Sequence, residues 1–228
     1  CGALKEAEEV FEQLLVRNVI TWNALISGYV QHGHGYKALK RFLDMRNHGI
    51  TPDKVTYICI VKACGLIGSL EIGERIYGEI REKRLLQKYA MIGNTLVDMF
   101  TKCGALDRAR ELFDELPTRN VVSWTALIAG YAQHDLGREA LTFFEQMRKE
   151  GISPNEVTLV YILKACSSIG ASGKGKQIYD EIVSRGLLEN NILLGNVLVD
   201  MYAKCGLFAK AKEVLEGLPV RNVVSWNS

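Results

Sequence analysis

VITWNALISGYVQ at residues 19–31 returns as VVSWTALIAGYAQ at residues 121–133, and this echo decides how the rest of the chain is read. Trp22, Trp124 and Trp226 share one spacing of 102 residues. The same offset relates Cys1, Cys103 and Cys205, as well as His32 with His134, Pro52 with Pro154, and Asn120 with Asn222. About half of the positions in 19–120 recur identically in 121–222, the mark of a repeat array.

Within one copy the apolar spacing is helical. Trp124, Leu127, Ile128 and Tyr131 fall at i, i+3, i+4 and i+7, and Ala140, Phe143, Phe144 and Met147 repeat that spacing. Each long copy divides into three units, 19–53, 54–89 and 90–120, then 121–155, 156–191 and 192–222, with partial units at 1–18 and 223–228. Two helices per unit are predicted. Thr21, Thr56, Ser123 and Thr158 are candidate N-caps, and the Gly-Ile-x-Pro stretches at 49–52 and 151–154 end the second helices. A helix pair of this length cannot bury both faces alone, so neighbours stack into an all-α solenoid.

The chain has 228 residues, 28 Lys+Arg against 26 Asp+Glu, a formal charge of +2 and 48% hydrophobic residues. That balance argues against disorder and leaves nucleic acid open, because basic side chains can still gather on one face. No apolar run approaches the ~18 residues of a membrane span. The first residues lack signal-peptide character and read as the middle of a repeat, so the absence of a presequence here carries no weight, and an organelle-targeting segment would lie outside this chain.

Helix pairs of 31–36 residues resemble the tetratricopeptide and pentatricopeptide families. Trp22, Leu25, Tyr29, Ala38, Phe42 and Pro52 suit the former, but Ile26 and Ile128 stand where it prefers glycine. The alternation of unit lengths, together with VVSWTALIAGYAQ, LKAC at 163–166 and VDMYAKCG at 199–206, resembles the plant pentatricopeptide subclass built from P, L and S motifs. Under that resemblance 19–53 and 121–155 are P motifs, 54–89 and 156–191 L motifs, and 90–120 and 192–222 S motifs. The implied fold is a right-handed superhelical α-solenoid, and the implied role is reading single-stranded RNA in a mitochondrion or chloroplast, mostly to specify C-to-U editing sites.

The resemblance also implies which residues read. Fifth and last residues of each motif face one base: Asn23 with Asp53, Asn94 with Asn120, Thr125 with Asn155, Asn196 with Asn222, and Asn227 in the last partial motif. Amides and hydroxyls suit a base edge. The L-motif pairs, Ile58 with Tyr89 and Val160 with Asn191, break the pattern. The implied register is uracil, unread, cytosine or uracil, adenine, unread, cytosine or uracil, then a pyrimidine. Second residues Ile20, Val55, Met91, Val122, Val157, Leu193 and Val224 would sandwich bases, or else pack between repeats. Lys102 and Lys204 are phosphate candidates, with a solvated helix-end lysine as the alternative. For the polar pairs the competing reading is helix capping.

Catalytic chemistry finds no foothold. The chain contains no G-x-x-x-x-G-K-[ST], H-E-x-x-H or G-x-S-x-G, and neither half of the zinc deaminase motif. The six cysteines include no C-x-x-C and read as small core residues, and no metal or cofactor is expected. L motifs are the implied docking surfaces for editing-factor proteins. The reading from a different class is a tetratricopeptide-like scaffold for protein partners.

Overall fold

A computed structural model describes residues 2–189 and 191–218, and these fall into two compact units divided between Arg119 and Asn120. Among the described residues all regular structure is helical. The first unit contains α1 (Gly2–Gln13), α2 (Val19–Gln31), α3 (Gly35–Asn47), α4 (Lys54–Ile67), α5 (Leu70–Glu82), α6 (Leu85–Lys88), α7 (Ala90–Lys102) and α8 (Leu106–Glu115). The second contains α9 (Val121–Gln133), α10 (Gly137–Lys149), α11 (Glu156–Ser168), α12 (Ser172–Ser184), α13 (Ile192–Lys204) and α14 (Phe208–Gly217).

Helices α2, α4 and α7 form an inner row in the first unit, and α9, α11 and α13 form one in the second. Each outer helix packs on its own inner helix, and α3, α5, α10 and α12 also touch the next one. That double contact is the solenoid arrangement expected from the repeat. Inner helices are therefore apolar on several sides: Trp22, Ile26 and Tyr29 of α2 are buried, as are Trp124, Leu127, Ile128 and Tyr131 of α9. Outer helices bury one stripe, Ala38, Phe42 and Met45 in α3 and Ala140, Phe143, Phe144 and Met147 in α10. Ile26 and Ile128 fill the space that the tetratricopeptide pattern would leave to glycine.

Gly35 opens α3 against the backbone of α4. A Cβ there would stand 2.9 Å from the Ala63 carbonyl oxygen, and at Gly137 one would stand 2.8 Å from that of Ala165. Neither contact leaves room for a side chain, so these glycines set how closely one pair approaches the next.

The helix starts correct one expectation. The N-caps of α2, α4, α9 and α11 are Asn18, Asp53, Asn120 and Asn155, and the hydroxyl residues Thr21, Thr56, Ser123 and Thr158 lie three positions later. In α2, α4 and α9 the hydroxyl oxygen accepts the cap's own N–H, which completes a capping box. The acidic or amide side chain wins the cap because its oxygen reaches two peptide N–H groups at once in those three helices, and the Thr158 N–H in α11. The Gly-Ile-x-Pro stops behave as expected: Gly49 and Gly151 are left-handed, and the Ile50 and Ile152 N–H groups donate to Met45 and Met147 oxygens at 3.1 Å. The short α6 was not expected; the corresponding residues 187–189 form no helix.

Cys59, Cys64 and Cys166 are buried free thiols, and burial pushes Cys64 and Cys166 up to about 12. Cys103 and Cys205 are only half-buried and serve as C-caps of α7 and α13, so the core reading holds for three cysteines and not for these two. His32 caps the end of α2, its ring Nδ1 lying 2.9 Å from the Gly28 carbonyl oxygen.

Candidate nucleic-acid interface

Residues two and five of an inner helix lie three apart and share one face of its first turn. The structure divides them by depth. The second residues are open to solvent, from 39% exposed at Val55 to 72% at Ile20, with Met91, Val122, Val157 and Leu193 between them. The polar fifth residues Asn23, Asn94, Thr125 and Asn196 are 6–8% exposed. A projecting apolar side chain thus stands beside a recessed polar one, repeatedly, along each unit. Their exposed surface is open to a base face, and their covered part packs against the array.

In the first unit the Asn23 amide donates to Asp53 Oδ1 at 2.9 Å, bridging 30 residues of sequence. The Thr56 hydroxyl donates to Asn23 Oδ1 at 2.6 Å. Asp53 Oδ1 also accepts the N–H groups of Val55 and Thr56, both at 2.9 Å. Burial raises the Asp53 carboxyl, but hydrogen bonds from Thr56, Asn23 and Val55 outweigh it and hold the group below its ordinary value. Asp53 is a cap and a partner of Asn23 at once, so the two readings of this residue are not exclusive.

In the second unit the two residues do not touch directly. Thr125 Oγ1 lies 2.7 Å from Thr158 Oγ1, and the Thr158 hydroxyl lies 2.8 Å from Asn155 Oδ1. Asn155 Oδ1 also accepts the Thr158 N–H at 2.9 Å. The sequence marks Thr56 and Thr158 only as candidate caps, yet both are fully buried and both touch a fifth residue. Their recurrence at the repeat offset was the available signal.

Asn94 lies in the first unit and Asn120 in the second, where Asn120 Oδ1 caps α9 through Val122 and Ser123. Asn196 is buried in α13, while Asn222, Val224 and Asn227 lie outside the described residues. At the L-motif places Ile58 is half-buried and Val160 is buried. Tyr89 receives the Lys54 ammonium 5.3 Å over its ring, and Asn191 caps α13 while its amide donates to Glu156.

Lys102 pairs with Asp98 at 2.7 Å and Lys204 with Asp200 at 2.9 Å, each one helical turn away. These exposed pairs are weak, and a phosphate can compete for the lysine. Arg17 and Arg119 act locally: Arg17 donates to the Phe11 and Glu12 carbonyls, and Arg119 donates to that of Asp114. Among the described residues no His, Cys, Asp and Glu cluster suits a metal, and no helix is long and apolar enough to cross a membrane.

A family model for the PPR repeat family matches residues 17–65 and 119–168, and a model for the PPR repeat matches 94–121 and 196–223. The chain belongs to the pentatricopeptide repeat family. A chloroplastic pentatricopeptide repeat-containing protein of Arabidopsis thaliana is 37% identical over 228 residues, all of this chain and 37% of that protein. A mitochondrial one from the same plant is 36% identical over 227 residues, covering 100% of this chain and 40% of its own length. The chain spans about two-fifths or less of these relatives. Among solved structures, the pentatricopeptide repeat protein PPR10 from maize superposes with a TM-score of 0.67 at 21% identity, over 99% of this chain and 34% of that one. PPR10 in complex with an 18-nt psaJ RNA element gives a TM-score of 0.65 at 19% identity, over 99% and 39%. Nuclear proteinaceous RNase P 2 of A. thaliana gives 0.52 at 11% identity, over 83% of this chain and 43% of that one. These structural likenesses establish the pentatricopeptide solenoid as the fold class.

Proposed function

We propose that this pentatricopeptide chain binds single-stranded RNA in sequence-specific fashion, about one base per helix pair, and supplies the address for an RNA-processing event in a mitochondrion or chloroplast. The observation that carries the reading is the pairing of an exposed apolar second residue with a recessed polar fifth residue. The first can lie against a base face and the second can meet its edge. The relatives' organellar names and the RNA held by PPR10 support the same reading.

The polar groups suit particular bases. At Asn23 and Asp53 an amide N–H and a carboxylate oxygen outside the capping network offer one donor and one acceptor, the complement of uracil's carbonyl and N3–H. Thr125 with Asn155 is assigned to adenine, and Asn94 with Asn120 and Asn196 with Asn222 to cytosine or uracil. The P, L and S assignment makes C-to-U editing the process served, with chemistry supplied from outside this chain; binding, not catalysis, is its part. The L motifs at 54–89 and 156–191, apolar at Ile58 and Val160, are the proposed docking surfaces for organellar editing-factor proteins.

A binding selection from a randomised RNA pool, run with duplex RNA and peptide competitors, tests the reading. Single-stranded RNA carrying uracil three letters before adenine should be enriched, and affinity should fall as salt rises. Enrichment of peptide, or RNA binding indifferent to sequence, would reject it. Lys102→Ala and Lys204→Ala should weaken all RNAs alike and lower the salt slope by about one each.

A further inference from the structure

Around Thr125 there are three short oxygen contacts and only two hydroxyl protons to fill them. Thr125 Oγ1 is 2.6 Å from the Val121 carbonyl oxygen and 2.7 Å from Thr158 Oγ1, and Thr158 Oγ1 is 2.8 Å from Asn155 Oδ1. Contact between two hydroxyl oxygens at 2.7 Å requires a proton between them. Two settings meet that condition. In one, Thr158 donates to Asn155 and Thr125 gives up its bond to the Val121 carbonyl and donates to Thr158, which leaves the Thr125 lone pairs as acceptors. In the other, Thr158 donates to Thr125, and the Thr125 proton is free for Val121 or for another acceptor.

We infer that Thr158 is a positioning residue for base choice, a hydroxyl relay that transmits the hydrogen-bonding character of residue 155 to Thr125. The inference rests on the base-reading role proposed above. Thr158 is fully buried, so water does not stand in for it, and no direct bond joins Thr125 to Asn155. A neutral amide oxygen already holding the Thr158 N–H draws the Thr158 proton weakly, so Thr125 can donate, as adenine's N1 requires. A carboxylate at 155 draws that proton strongly. The Thr158 hydroxyl then donates to residue 155, the Thr125 hydroxyl donates to Thr158, and the Thr125 lone pairs meet an N–H such as that of guanine N1. Residue 155 thereby selects between purines without contacting Thr125.

The rest of the array fits a relay restricted to polar readers. Thr56 occupies the same place beside Asn23, whereas the apolar fifth residues Ile58 and Val160 are matched at the corresponding sequence position by Ile92 and Leu194, both fully buried. No hydroxyl stands where there is nothing to relay. At Asn23 the longer amide reaches Asp53 by itself, so the hydroxyl there is an accessory.

A double-mutant cycle in the 228-residue chain tests the relay, with RNAs that differ only at the letter assigned to Thr125. With Thr158 in place, Asn155→Asp should shift the adenine-to-guanine ratio by about tenfold or more. In a Thr158→Val background the same change should shift it by less than about threefold. Thr158→Ser, which keeps the hydroxyl, should restore the full shift, and Thr158→Cys, a weak donor, should give an intermediate one that remains measurable if the valine variant melts early. An equal shift with and without the hydroxyl would overturn the relay and leave base reading standing. No shift in either background would overturn both. Melting curves of the four variants separate lost packing, which lowers stability for all RNAs alike, from lost base choice.

Discussion

The Asn23 and Thr125 sites occupy equivalent places 102 residues apart, and each has a buried threonine and a capping residue beside it, yet they are wired differently. Asn23 bonds its cap Asp53 directly, while Thr125 stops at Thr158. Side-chain length makes the difference: an amide nitrogen two bonds beyond Cβ spans a gap that a hydroxyl cannot. The caps differ as well. Asp53 completes a capping box and gathers donors from Val55, Thr56 and Asn23, whereas Asn155 has donors from Thr158 alone, its N–H and its hydroxyl. The same backbone frame therefore hosts either a direct pair or a relayed one, according to a single residue.

Shortening Asn23 is the strongest way to test that lesson. Asn23→Thr should build the relay in the first unit with a carboxylate at its end, so preference at that letter should move from uracil to guanine by about tenfold or more, corresponding to roughly 1–3 kcal/mol for a base-edge contact. Competition binding checks it. Thr56→Val should leave uracil preferred in the native chain and erase guanine preference in the Asn23→Thr variant; uracil preference lost from the native chain would mean that the direct bond is not sufficient.

A smaller contrast concerns stability. Asp53→Ala removes two peptide acceptor contacts and the Asn23 bond and should cost about 2 kcal/mol, while Asn155→Ala should cost about 1 kcal/mol. Urea unfolding of both variants measures the gap, and equal costs would show that the tertiary bond adds nothing to the cap. Smaller again is the turn after the first helix, where Gly33 and Asp135 are left-handed at φ 77° and 59°. Gly33→Ala should lose about 1 kcal/mol, and Asp135→Gly should gain a few tenths, both read as shifts in the denaturation midpoint.

Proton linkage separates the two caps last. The Asp53 carboxyl is held below its unfolded value, so its contribution is complete above that value, near pH 4, and is lost as pH falls through the folded one. The stability difference between native chain and Asp53→Asn should stay flat from about pH 7 to pH 5 and shrink below about pH 4. Asn155 carries no such dependence. A difference that changes between pH 7 and 5 would contradict the direction of the Asp53 shift.

Most of the fold was legible in the sequence because repetition amplifies a weak signal: Trp22, Tyr29, Phe42 and Met45 are buried as their spacing implied, and so are their counterparts. The cap position was missed because Ser, Thr, Asn and Asp all qualify locally, and only geometry shows that Asp53 Oδ1 reaches two peptide N–H groups while Thr56 answers from the third position. Helix α6 was missed because LLQK carries no start signal of its own and follows left-handed Arg84, where the other unit has Gly186. The exposure of Ile20, Met91 and Val122 was not decidable from apolarity, which serves a core and a binding face equally. Thr158 could be placed opposite Thr125 only by folding 33 residues of chain between them.

The capping of α4, α9 and α11 by Asp53, Asn120 and Asn155 sets the terms on which such an array can acquire a new target. Where a motif's last residue caps the following helix through its side chain, as these three do and Tyr89 does not, the choice narrows to a short alphabet: side chains that hold an oxygen over a peptide N–H group. Asn and Asp exchange within that alphabet at little cost, and Ser or Thr at a modest one. Most other residues would respell the message by fraying the page. Under the proposed base-reading role, retargeting by single substitutions is channelled toward amide-to-carboxylate swaps, which let the next helix keep its start.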